Sequence, residues 1–371
     1  MRILIDHSNL IVGGGIQVGT SYLNDLRNIE SNHEFFIIQS YNSKNSIDKS
    51  LFPSNFSFYD LDESALYSIF KRRKMVVALE LKYSPDIIFV TFGPSYHKSK
   101  FPKIVGFAIP YLIYPDSPFF RLISMFERLK YKLLGAIKKR AFIKYSDALI
   151  FETENAREVF SKFLNKEMKT FTVNNTLNEI FFDKNRWNSI AIDTKSSFRI
   201  LCLTANYKHK NLAIIPDIID ELLSKFDFKD FKFVISASEN ELLFESKYGN
   251  FIEYLGKVPL DQVPDLYCKV DLSFQPTLLE VFSTTYLEAM FMKKPIIASN
   301  MPFARDICAD AAIYCNPSSA SEYAKAIYQL RNDEQLREVL IEKGQINFNR
   351  FGKSIDRTKC YLNIINEIKT K

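Results

Sequence analysis

Short apolar runs alternate with helical patterns along this 371-residue chain, and the alternation occurs twice. In the first half, runs at residues 2–6, 34–39, 56–59, 86–90, 103–107, 148–151 and 170–173 have the length and composition of buried strands. Helical patterns at 17–29, 63–83, 119–145 and 154–163 fill the intervals. Strands separated by helices predict a parallel sheet covered on both faces.

Around residues 183–197 the pattern gives way to polar residues without periodicity, as in a linker. The alternation then restarts, with strands expected at 198–203, 231–236, 252–255, 272–275, 296–299 and 312–314. Helices are expected at 212–225, 284–292, 320–332 and 334–351, followed by a last helical run. The length suits two domains, each able to bury its own core. The expectation is an α/β chain of two Rossmann-like domains facing one another across a cleft, with ligands at the carboxyl ends of the strands. The first domain covers 1–185, a linker 186–197 and the second domain 198–350. A C-terminal helix at 351–371 is placed to cross back to the first domain.

Hydrophobic content of 47% and charged content of 25% exclude disorder and a disulfide scaffold. The five cysteines are odd in number and contain no C-x-x-C, so they read as thiols of a reducing compartment. Four histidines, at 7, 33, 97 and 209, are too scattered for a zinc site. After Arg2 only Ile3, Leu4 and Ile5 precede Asp6, which is no signal peptide, and no run of apolar residues has membrane-spanning length. The expected location is the cytoplasm, including the inner face of the cell membrane.

The net charge of +6 is unevenly spread. Residues 117–144 carry Arg121, Arg128, Lys130, Lys132, Lys138, Lys139, Arg140 and Lys144 against Glu127 alone. In the same segment apolar residues at 122, 125, 126, 129, 133 and 137 follow helical spacing, so one face must pack or insert. A basic amphipathic helix at 118–145 suits either a core face with a solvated basic side or an anionic membrane surface. Lys71, Arg72, Arg73 and Lys74 add to the field. No nucleic-acid module pattern is present, so nucleic acid is not an expected partner.

Three constellations carry chemistry. Only 11 residues are glycine, yet Gly13, Gly14, Gly15 and Gly19 fall within seven positions after the first strand. Consecutive glycines let backbone approach a ligand, and the following helix offers amides to an anion. Next, Lys208, His209 and Lys210 follow the first strand of the second half, where two lysines can compensate a diphosphate. Last, Glu280 lies in a loop after the strand at 272–275, and Glu288 inside a helix beginning near Ser283. The amides of Phe282, Ser283 and Thr284 would then meet phosphate oxygens. A carboxylate about two turns on can accept from a vicinal diol such as ribose.

These residues, in order, resemble the nucleotide-binding domain of the family-4 retaining glycosyltransferases, which have the GT-B fold. The matching pieces are Lys208 to Asn211, Tyr254 to Val258, Leu266-Tyr267, the E-x7-E pair running into Glu288-Ala289-Met290, Pro295 to Ser299, and Ala311 to Tyr314 with Pro317. The first half is similar more distantly, through the glycines, Thr153-Glu154-Asn155 and Asn174-Asn175. The resemblance implies that Glu280 contacts hydroxyls of the donor sugar and Glu288 the ribose. It pairs Lys210 with the donor diphosphate, assisted by Lys208, by the amides of Phe282 to Thr284, and by those of Gly14 or Gly15. It puts the base near Lys257 and Val258, requires no metal or other cofactor, and implies transfer with retention at the anomeric carbon. The basic segments at 118–145 and 71–74 favour a saccharide acceptor anchored at an acidic membrane, such as one linked to polyprenyl diphosphate, and the resemblance implies a role in bacterial O-antigen or capsule synthesis.

Three departures stand beside the resemblance. Val281 and Ser283 occupy positions where the family usually has glycine. Thr204 and Ala205 stand where an arginine is frequent, with Lys208 as a substitute. The stretch after the fifth strand, GFAIPYLIYPDS, lacks the histidine many members carry, leaving His97 or Asp116 to cover part of its role. A non-catalytic nucleotide-sugar-binding homologue and a nucleotide-sugar epimerase of similar fold therefore remain alternative readings.

Overall fold

Each apolar run of the sequence becomes a strand, and every strand pair is parallel. The computed structural model describes all residues except 12, 166, 194–197, 370 and 371. One sheet contains β1 (Arg2–His7), β2 (Glu34–Gln39), β3 (Phe56–Asp60), β4 (Ile87–Val90), β5 (Lys103–Phe107), β6 (Ala148–Phe151) and β7 (Lys169–Thr172). Its order is β3-β2-β1-β4-β5-β6-β7. The other contains β8 (Arg199–Cys202), β9 (Lys232–Ile235), β10 (Ile252–Tyr254), β11 (Leu272–Gln275), β12 (Ile296–Ser299) and β13 (Ala312–Cys315), in the order β10-β9-β8-β11-β12-β13. In each sheet the chain starts in the middle, builds outward to one side, then returns to build the other. That is the Rossmann pattern, and the reversal lies between β1 and β4 and again between β8 and β11. Ile87 to Val90 of β4 are buried on both faces, as continuous apolar strands of a covered sheet must be.

The helices are α1 (Gly13–Leu26), α2 (Ser64–Tyr67), α3 (Ile69–Tyr83), α4 (Met125–Tyr145), α5 (Glu154–Ser161), α6 (Ile215–Phe226), α7 (Glu239–Leu242), α8 (Val263–Cys268), α9 (Thr284–Phe291), α10 (Pro302–Cys308), α11 (Ala320–Asn332), α12 (Glu334–Phe348) and α13 (Ser354–Lys369). The glycines at 13–15 are not a loop before a helix at 17. They are the first turn of α1, entered through Gly13 at φ +57°. Gly19 has a different task, because a Cβ there would lie 2.4 Å from Leu10 Cδ1 and 3.1 Å from His7 Cε1. It lets α1 lie directly against the end of β1.

The expected helix over 63–83 breaks at Ser68, whose extended backbone and hydroxyl, accepting from the Lys71 amide at 3.3 Å, start α3. The sequence reading placed no helix at α7, α8 or α10, which are only four to seven residues long. Pro264 and Pro302 each lie in a first turn, where proline fits a helix.

The chain sorts into two units. One comprises Met1–Ile113, Leu129–Asn175 and Lys353–Lys371, the other Tyr114–Arg128 and Thr176–Gly352. Within the first, α13 packs beside α1. Thr358 and Ser354 donate to the Asp25 carboxylate at 3.1 Å, and the buried Arg357 donates to Asn175 Oδ1 at 3.1 Å and Ser21 Oγ at 2.9 Å. The polar stretch expected as a linker is held by the second unit through residue 193. The Asn188 amide donates to the Asp261 carbonyl at 2.8 Å, and the Asp193 amide to Glu253 Oε1 at 2.7 Å. The rest of that expected linker, 194–197, lies outside the described residues.

Candidate functional site

In the second unit, β8 and β11 are neighbours at the point where the strand order reverses. Loops leaving such strands diverge and open a crevice at the carboxyl edge. The loop after β8 carries Lys208, His209 and Lys210; the loop after β11 carries Glu280. A backbone hydrogen bond from Leu278 N to His209 O, 2.7 Å, ties the loops together. Lys210 Nζ forms an ion pair with Glu280 Oε1, both side chains being largely buried. Glu280 Oε2 is buried without a hydrogen-bond partner, so the carboxylate keeps acceptor capacity that burial makes costly to leave unused.

His209 is partly buried and stacks on Tyr207 at 5.5 Å between ring centroids. Burial, and secondarily the Lys210 charge, lower its pKa to about 4, so the two lysines are the cations of this loop at neutral pH. Lys208 is exposed and lies 3.5 Å from Glu127. The segment bearing Glu127 also braces the second loop, since Ser117 Oγ donates to the Leu278 carbonyl at 2.6 Å.

α9 starts where this loop ends. Its capping residue, Ser283, is extended, and its hydroxyl does not bond the helix amides. It shares a 2.8 Å hydrogen bond with Thr285, whose hydroxyl in turn donates to Gln275 at the end of β11, 2.7 Å. The first turn of α9 thus has no side-chain cap, which leaves an uncompensated positive dipole end. Val281, standing where the family usually has glycine, is buried, and Phe282 packs edge-on to Phe351 at 5.9 Å.

Glu288 follows one turn into α9 and is 7% exposed. Tyr267 donates to its Oε2 at 3.3 Å and Thr284 to its Oε1 at 3.4 Å. Burial outweighs these two long hydrogen bonds and raises the carboxyl to a pKa of about 7. The structure therefore groups Lys208, Lys210, Glu280, Phe282, Ser283, Thr284 and Glu288 about the β8/β11 crevice. Lys257 and Val258 lie at the carboxyl end of β10, two strands from β8. Gly14 and Gly15 belong to the first unit, where a Cβ at Gly14 would meet nothing within 4 Å.

Tyr267 is a site residue that sequence reasoning gave no role, although Leu266-Tyr267 was among the matching pieces. A tyrosine in a short proline-started helix carries no local mark of the carboxylate it will meet. Of the two stand-ins for the absent histidine, Asp116 is exposed in the second unit. His97 is buried in the first, its Nε2 2.7 Å from Glu80 Oε1 and 3.0 Å from Lys103 Nζ. Among the described residues, no group of three or more His, Cys, Asp or Glu is placed to hold a metal ion.

The apolar stripe of the basic helix does not pack. In α4 only Gly135, Ala141 and Phe142 are buried. Met125 is 82% and Phe126 88% exposed, and Leu122, Leu129, Leu133 and Ile137 are each at least half exposed. The apolar face is therefore exposed and not packed into a core. No helix of the described residues is long and apolar enough to cross a membrane.

Residues 185–346 match the family described as glycosyl transferases group 1. The chain is 29% identical over 101 residues to an O-antigen chain mannosyltransferase B of Escherichia coli, a match covering 27% of this chain and 26% of that one. Across the curated relatives it matches, it spans from 26% to 63% of their length. A sucrose-phosphate synthase from Thermosynechococcus elongatus superposes with a TM-score of 0.74 at 13% identity, covering 99% of both chains. Anabaena HepE, solved in complex with UDP-glucose, superposes with a TM-score of 0.68 at 14% identity, covering 99% of this chain and 100% of that one.

Proposed function

We propose, from the match of residues 185–346 to the group 1 glycosyl transferases and from two parallel sheets arranged as in the GT-B fold, that this chain moves a sugar, with retention, from a nucleotide-sugar donor to a saccharide acceptor. The observation that carries this reading is the Lys210–Glu280 pair at the β8/β11 crevice, directly before the uncapped start of α9. Lysine and helix amides together compensate a diphosphate without a metal ion. Glu280 Oε2, buried and unpartnered, is free to accept from a hydroxyl of the donor hexose. Glu288 accepts from the ribose diol, with Tyr267 and Thr284 fixing its orientation. The base lies toward Lys257 and Val258.

The protein's part in the transfer is positioning and charge stabilisation. Negative charge grows on the diphosphate as the anomeric bond breaks, and Lys210 answers that growth. The departing diphosphate takes the acceptor hydroxyl's proton on the face it leaves, so no side-chain nucleophile is needed and configuration is retained. The O-antigen relative supports a bacterial surface polysaccharide as the product and a polyprenyl-diphosphate-linked saccharide as the acceptor. The exposed apolar and cationic surface of α4 supports docking of the chain on an anionic membrane, where such an acceptor resides. A screen of nucleotide-sugar hydrolysis, with Glu280→Ala as the blank, tests the proposal. One or a few donors should be consumed by the native chain alone; a panel left intact, or consumed equally by the blank, would overturn it. Release of a free epimer would instead identify an epimerase.

A further inference from the structure

The first unit has its own reversal point, between β1 and β4, and a recess of about 270 Å³, open mouth included, lies there. At its buried end are Asp6, near the end of β1, Asn9, just after that strand, and His97, after β4. At its open end are Arg72 and Arg73 of α3, with Tyr96 between.

The acidic groups at the buried end are occupied. Asp6 Oδ1 accepts from the Ser8 amide at 2.8 Å. Glu80, behind His97, accepts from Ser99 at 2.8 Å and lies 3.2 Å from Lys103 Nζ. The cations at the open end are not: among the described residues neither Arg72 nor Arg73 forms an ion pair or a side-chain hydrogen bond. The Tyr96 hydroxyl lies in the field of both Arg72 and Lys138 of α4. Two adjacent guanidinium groups offer ten N–H donors in planar forks, the geometry that suits the oxygens of a phosphate.

We propose that this recess is a phosphate site, in which Arg72 and Arg73 grip the phosphate of a phosphate-linked saccharide acceptor. The identity of the ligand rests on the acceptor reading given above; the affinity for phosphate does not. The recess is too small for a nucleotide, so it complements the second unit's site and does not duplicate it.

Calorimetric titration of inorganic diphosphate into the full chain at low salt tests the site by stoichiometry. Native protein should bind two diphosphates, the Arg72→Gln/Arg73→Gln variant one, and Lys210→Ala one. Native protein that binds a single diphosphate, lost in the arginine variant and kept in Lys210→Ala, would uphold this site while removing the proposed donor site. An arginine variant with native stoichiometry would overturn the inference. Lys71→Gln/Lys74→Gln, on the same helix but outside the recess, should leave stoichiometry unchanged, and equal unfolding midpoints show that the variants are folded. The ligand's source is read with a short-chain prenyl-diphosphate monosaccharide against phosphatidylglycerol vesicles. The arginine variant should lose about tenfold or more in affinity for the first and little for the second; loss confined to vesicles would assign the arginines to the lipid surface and overturn the acceptor assignment.

Discussion

Lys210 and Glu280, 70 residues apart in the chain, are ion-paired across the reversal point of the second sheet. The contact joins two loops whose strands are adjacent, so it exists only because β8 and β11 lie side by side. It leaves one Glu280 oxygen buried and unpartnered, a site held in readiness for a hydroxyl donor. Removing Lys210 should therefore cost turnover as well as diphosphate binding, because the charge it would answer grows as the diphosphate departs. Lys210→Ala should lower kcat by about 100-fold or more. Glu280→Ala should do likewise, and the double variant should fall well short of the product of the two. Additive losses measured on the identified donor would show that the pair does not act as a unit.

Glu288 makes stability depend on pH. Its carboxyl holds a proton up to about pH 7 in the folded chain, while the unfolded chain releases it near 4.5. The unfolded state thus binds fewer protons across that window, and stability without ligand falls as pH rises through it, levelling off above. The contribution is at most about 3 kcal/mol. Urea midpoints at pH 5, 6 and 8 should show that fall in the native chain and a shallower one in Glu288→Gln. Identical slopes would remove Glu288 as the source.

The glycines of α1 separate by task. Gly19→Ala puts a methyl against Leu10 and His7 and should destabilise by about 1–3 kcal/mol. Gly14→Ala meets open space and should stabilise slightly, by up to about 1 kcal/mol, as alanine does in a helix. A loss of donor affinity in Gly14→Ala without a loss of stability would show that the open space is for a ligand. Thermal midpoints together with donor titration separate the two effects.

The exposed face of α4 should bind anionic membranes. Replacing Lys138, Lys139 and Arg140 with glutamine should weaken sedimentation with phosphatidylglycerol vesicles by about tenfold or more, at roughly 1 kcal/mol per cation near such a surface. Met125→Ser/Phe126→Ser should weaken it through lost apolar insertion. Unchanged binding in both variants would make the face merely solvated.

Much of this was legible in the residues. All thirteen strands among the described residues follow from apolar runs, most of them in strands buried on both faces, which need such runs. The E-x7-E spacing located α9, and the lysines after β8 marked the opposing loop. Other features were out of reach. The first turn of α1 was hidden because three glycines read as a loop, and α7, α8 and α10 because helices of four to seven residues are too short to show a period. The orientation of Glu288 depends on Tyr267, which approaches from another helix and leaves no trace in the spacing. The spacing of α4 established an apolar face but not its fate, since core and surface helices share that pattern. The recess at Arg72 and Arg73 likewise needed β1 and β4 to be neighbours before two members of a basic run could face it.

We propose the crevice between β8 and β11 as a nucleotide site whose ribose contact is Glu288. Calorimetric titration of the nucleoside diphosphate of the active donor into native protein and Glu288→Ala, at pH 8, tests it directly. The native chain should bind it, and the variant should lose about tenfold or more in affinity. Equal affinity in a folded Glu288→Ala protein would contradict it.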